Sequence, residues 1–158
     1  MSFRLSGLDP APFRHLYGLS DAALAAQGAH RMVARAPNSF PDRIEMRDLD
    51  PGETALLLNY EHQPADTPFR GRHAIFVREG AVVAFDAVGV IPQPIRIRPI
   101  SLRAFDAGGM MIDADLADGA ALEPLIARFF ADASVAYLHA HYAKRGCYAA
   151  RIERADGS

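Results

Sequence analysis

The order of elements in the last third of the chain constrains the fold most. Ser101 to Phe105 and Met110 to Leu116 are alternating segments joined by Asp106-Ala107-Gly108-Gly109, where glycine supplies the positive φ of a tight hairpin. Leu122, Leu125, Ile126, Phe129 and Phe130 follow at helical spacing, with Pro124 acceptable only in the first turn. Val135 to His141 and Cys147 to Glu153 then form a second hairpin around Tyr142-Ala143-Lys144-Arg145-Gly146. Two hairpins separated by one amphipathic helix make the α+β pattern rather than a doubly wound parallel sheet. The sequence therefore predicts a mostly antiparallel sheet with hairpins, one long covering helix near the C-terminus, and short helices near the N-terminus.

The earlier part of the chain is less regular. Phe3 to Leu8 reads as a short strand, and Ser20 caps a helix over Asp21 to Gln27 that Gly28 stops. His30 to Ala36 reads as a strand, followed by a loop over Pro37 to Asp42. Thr54 to Tyr60 is a continuous apolar run suited to a central strand buried on both faces. Glu61 to Arg72, with two prolines and Gly71, predicts a loop leading into the strand His73 to Arg78. Ala81 to Phe85 predicts another short strand, while the prolines at 92, 94 and 99 exclude a central strand throughout Val90 to Pro99.

A length of 158 residues suits a single globular domain over 1–158, with 155–158 as a loose tail. The balance of 17 Lys and Arg against 19 Asp and Glu argues against a nucleic-acid partner, because binding a polyanion through counterion release needs a basic excess. The single cysteine, Cys147, cannot form an internal disulfide, which fits a reducing compartment. The N-terminal residues lack a secretory signal, and no apolar run approaches the roughly 18 residues of a membrane span. These features predict a cytoplasmic protein with no membrane partner. Exposed strand edges and the apolar run through Val90 are compatible with a homodimer.

Three pairs of segments carry a family resemblance. They are Leu57 to His62 with Ala74 to Glu79; Ser101 to Asp106 with Met110 to Ala114; and His139-Ala140-His141 with Gly146 to Arg151. Together they resemble a bacterial family known as domain of unknown function 1203, over nearly the whole chain. The resemblance implies a small stand-alone bacterial protein and carries no assigned activity or catalytic residue.

Several side-chain sets have chemical potential on their own account. His139 and His141 are two apart on a strand, so they share a face, and the hairpin register brings Cys147 toward them. Such a His, His, Cys set suits zinc with water in the fourth position, or a thiol nucleophile at Cys147 activated by a neighbouring imidazole, Lys144 and Arg145. A one-residue slip would put the sulfur on the other face, leaving solvated histidines and an inert buried thiol. A second set, His62, Arg70, Arg72 and His73 with Tyr60 and Glu61, gathers where two strands meet a loop and suits a small anionic ligand. Its plainer alternative is local pairing of exposed charges. Arg96 and Arg98 alternate with Ile95 and Ile97 as an anion clamp or a charge-guarded edge strand, and Asp113 and Asp115 share a strand face.

No glycine-rich phosphate loop, GxSxG, HExxH or CxxC is present. Two functions from different classes follow. The first is a non-enzymatic binding module for a small anionic ligand or a protein partner; the second is a small metal- or thiol-dependent enzyme centred on His139, His141 and Cys147.

Overall fold

The computed structural model describes residues 2–155. Among these residues nine strands carry the fold: β1 (Phe3–Ser6), β2 (His30–Val33), β3 (Thr54–Gln63), β4 (Gly71–Arg78), β5 (Asp86–Val88), β6 (Pro99–Phe105), β7 (Met111–Asp118), β8 (Tyr137–Tyr142) and β9 (Tyr148–Arg154). They form a six-stranded sheet in the order β5-β1-β9-β8-β6-β7 and a three-stranded sheet in the order β2-β3-β4. Every pairing is antiparallel. The architecture is α+β with few helices: α1 (Asp21–Ala26), α2 (Gln93–Arg96) and α3 (Leu122–Phe130), with 3-10 turns over Arg14–Leu16 and Gly119–Ala121.

The two hairpins of the last third form through the turns their sequences specify. Between β6 and β7, Gly109 takes φ +86°, and the Asp106 carboxylate accepts hydrogen bonds from the backbone N–H of Gly108 and Met110. Pro124 lies in the first turn of α3, where a missing N–H costs nothing. Leu122, Leu125, Ile126, Phe129 and Phe130 bury one stripe of α3 against Leu102, Leu138 and Ile152 of the six-stranded sheet. This helix precedes β8 and β9 and so is not near the C-terminus, which corrects that part of the expectation. In α1, Ser20 caps the helix by accepting from the Ala23 N–H.

Four other expectations change. β3 runs on to Gln63 and β4 begins at Gly71, so the loop expected over Glu61 to Arg72 shortens to residues 64–70. A bulge between Tyr60 and Gln63 lets the pairing persist through polar residues that a pattern search ends at. Ala81 to Phe85 is not a strand; the short strand is β5, beginning at Asp86. Ile95 to Arg98 does not alternate along a sheet edge, because Gln93–Arg96 forms the helical turn α2, with Pro94 in its first turn. Arg96 then lies 3.8 Å from Glu123 while Arg98 pairs with Asp48 at 2.8 Å, so they form no common clamp. Ala155 is buried and donates its N–H to Ser2, while 156–158 of the expected tail lie outside the described residues.

The two sheets meet where β3 crosses the β8–β9 hairpin. Leu56 and Leu58 of β3 join Phe13, Leu24, Ile44, Ile75 and Val77 in a second core. Two residues further on, Tyr60 packs against Tyr148 of β9, with ring centroids 6.0 Å apart. No helix among the described residues is long and apolar enough to cross a membrane.

Candidate metal centre

His139 and His141 project from one face of β8, as residues two apart must. The other face of β8 is apolar: Leu138 and Ala140 belong to the core beneath α3. Across β6, the same histidine face continues through Arg103 opposite His139 and Ser101 opposite His141. The third member comes from the other sheet. Continuing the alternation of Leu56, Leu58 and Tyr60 along β3 reaches His62, whose ring stacks on Tyr148 at 5.7 Å and meets His141 at 5.0 Å.

One nitrogen from each of His62, His139 and His141 can be chosen so that all three lie within 4.8 Å of one another. Among the described residues, each ring also has one buried nitrogen without a hydrogen-bond partner: Nδ1 of His62, Nδ1 of His139 and Nε2 of His141. On His141 the tautomer follows from its neighbour. Nδ1 lies 3.0 Å from the Gly146 carbonyl, which only accepts, so Nδ1 carries the proton and Nε2 presents a lone pair.

Burial keeps these rings uncharged. His139 and His141 are 3% and 1% exposed, and the loss of solvation lowers both pKa values from 6.5 to about 3. The same cause lowers that of the half-buried His62. The charge of Arg103 acts on all three rings in the same direction. Arg103 itself is partly desolvated, and its Nε donates to Ser101 Oγ at 3.2 Å. Three neutral imidazoles with free lone pairs and an adjacent cation are what a metal ligand set with an open, anion-favouring position requires.

Cys147 is not part of this centre. Pairing runs regularly through Ala140 and Ala150, then shifts so that His141 faces Tyr148. Ala149 is the extra residue. A regular ladder continued from Ala140 and Ala150 would have put Cys147 on the histidine face, and the bulge turns it to the other one. There its carbonyl accepts from the Tyr142 N–H, and its side chain packs in the core beneath α3. The sulfur accepts from Arg43 Nη2 at 3.0 Å.

The loop set expected to hold an anion separates in the same way. His62 turns inward to the imidazoles, whereas His73 is exposed, with Nδ1 3.1 Å from the Ala74 carbonyl oxygen. Arg70 pairs with Glu61 at 3.1 Å and Arg72 donates to Asn59. Asp113 and Asp115 share the exposed face of β7, where each carboxylate accepts from the next backbone N–H and Asp115 also pairs with Arg128.

The family described as Protein of unknown function (DUF1203) matches residues 39–154, a span that contains all three histidines and Cys147. The chain belongs to this family. No curated protein and no solved structure matches it. Within this DUF1203 chain, therefore, the case for a function rests on the geometry of its side chains.

Proposed function

We propose that the protein binds a divalent first-row metal ion, zinc foremost, through His62, His139 and His141. The observation that carries this reading is the convergence of three imidazoles, one nitrogen from each within 4.8 Å of the others, on rings that each keep a buried nitrogen without a partner among the described residues. Buried polar atoms without partners are rare in folded proteins, and one cation would satisfy all three together. Tetrahedral zinc with bonds of about 2.0–2.1 Å places its nitrogens about 3.3 Å apart, so the widest pair closes by about 1.5 Å on binding. The stacked Tyr148 ring supports His62 during that closure, and the Gly146 carbonyl orients His141.

With three protein ligands the fourth position is left for water or a small anion. The nearby Arg103 guanidinium favours an anion or hydroxide there, and the bound cation would supply Lewis acidity to it. Binding therefore comes first, and any reaction would be built on that open position.

The test is metal analysis of protein purified without a histidine tag, followed by zinc titration. One metal ion per chain is expected, lost in His141→Ala and retained in Cys147→Ser. A wild-type chain that takes up no zinc at micromolar concentration contradicts the proposal.

A further inference from the structure

On the reverse of the same hairpin lies a cavity of about 370 Å³ lined by Arg43, Arg98, Tyr142, Lys144, Arg145 and Cys147. Its volume falls within the range of small-molecule sites. Phe76 and Ile97 add an apolar wall.

Arg43 is the unusual element. It is 1% exposed, and its guanidinium donates to the carbonyls of Tyr148 and Pro41 and to the sulfur of Cys147. No carboxylate pairs with it among the described residues. A buried cation facing carbonyls and a thiol keeps its hydrogen bonds but lacks a counter-charge. Beside it, Tyr142 is 5% exposed and its hydroxyl has no hydrogen-bond partner among the described residues. A phenol carries one O–H, so that hydroxyl offers a donor. Arg98 is already neutralised by Asp48, at 2.8 and 3.1 Å. Lys144 and Arg145 are exposed and form no ion pair among the described residues.

We propose that this cavity binds a small organic anion, a phosphate or carboxylate on an apolar body, between Arg43, the Tyr142 hydroxyl and the Lys144–Arg145 turn. The anion supplies Arg43 with its missing counter-charge and the Tyr142 hydroxyl with an acceptor. The apolar body rests on Phe76 and Ile97, and Cys147 lies on the floor. The site shares no side chain with the three histidines, so either can fail while the other stands.

Phenyl phosphate is a direct probe, with phenol as its neutral counterpart. At a concentration well above its Kd, phenyl phosphate is expected to raise Tm, as any ligand of the native state does, while phenol does not. The shift is expected to disappear in the double variant Lys144→Ala, Arg145→Ala, whose side chains are exposed and leave the fold intact, and to shrink in Tyr142→Phe. It is expected to persist in His141→Ala. Alkylation then locates the ligand. Iodoacetate is expected to modify Cys147 about tenfold faster, relative to iodoacetamide, than it does in the unfolded chain, because the cavity concentrates anions. In that step sulfur displaces iodide, a C–S bond replaces C–I, and the thiol proton leaves to solvent. Phenyl phosphate is expected to slow it. No Tm shift, a shift equal for phenol, or a shift unchanged in the double variant overturns the proposal; so does alkylation unaffected by saturating ligand. Should Cys147 resist both reagents in the folded chain, the Tm shifts of the variants decide.

Discussion

The two faces of the β8–β9 hairpin treat buried polarity in opposite ways. One face carries His139, His141 and Tyr148 and gathers neutral bases whose lone pairs lack partners. The other carries Tyr142 and Cys147 and holds a fixed cation, Arg43, with an unpartnered hydroxyl beside it. The first face therefore calls for a positive ion and the second for a negative one. A strand ladder alternates sides at every residue, so one hairpin can present two such surfaces without mixing them, and the bulge at Ala149 decides which side receives the sulfur.

The largest expected difference between the faces is their response to acid. In metal-free protein the folded-state pKa values of His139 and His141, about 3, lie below the ordinary 6.5. Their stabilising effect is complete above pH 6.5 and is lost as pH falls toward 3, because the unfolded chain takes up protons that the folded one refuses. At pH 5 the loss is about 2 kcal/mol per ring, about 4 kcal/mol together. Denaturant midpoints measured from pH 8 to pH 5 check this. Cys147→Ser is expected to leave the slope unchanged, and a metal-free protein equally stable at both ends would remove the charge-free description of the histidine face.

Next in size is the loss of metal binding. His139→Ala or His141→Ala is expected to weaken zinc more than about a hundredfold, about 3 kcal/mol, whereas Cys147→Ser changes it by less than about twofold. Titration against a competing chelator measures both. Equal losses in the two kinds of variant would break the separation of the faces.

How far the sequence led can be judged from particular residues. The alternation around Gly108-Gly109 and the spacing from Leu122 to Phe130 locate β6, β7 and α3, since these segments combine a strong apolar period with turn residues of defined geometry. His139 and His141 share a face for the same local reason. The third histidine of the cluster, His62, is harder to read from sequence because polar Glu61 and Gln63 flank it and suggest a loop, although Leu56, Leu58 and Tyr60 already point along the strand to it. That it meets His139 and His141 depends on packing between two sheets, which no local period encodes. The side of the sheet that Cys147 takes is hidden for a different cause: both faces around it are buried, so the apolar pattern does not reveal an inserted residue at Ala149. Arg43 gave no local signal, being a charged residue in a segment without regular structure that the fold buries.

A smaller effect is expected at Gly71. A Cβ built there would lie 3.4 Å from His62 Cε1, an ordinary contact, so Gly71→Ala is expected to leave zinc affinity unchanged. Gly71→Val, with branched methyl groups against the ring, is expected to displace His62 and weaken zinc about tenfold, about 1.4 kcal/mol. Unchanged affinity in the valine variant would take His62 out of the ligand set. Smallest of all, Arg70→Ala removes an exposed pair with Glu61 and is expected to shift stability by less than about 0.5 kcal/mol, with no change in zinc or phenyl phosphate binding.

Cobalt(II) absorption spectroscopy distinguishes the two faces in one titration. The expected spectrum is that of a nitrogen and oxygen site, saturating at one cobalt per chain, without a sulfur-to-cobalt charge-transfer band, and identical in Cys147→Ser. A charge-transfer band that vanishes in Cys147→Ser would place the sulfur among the imidazoles and contradict the division of the hairpin into a cation-binding and an anion-binding side.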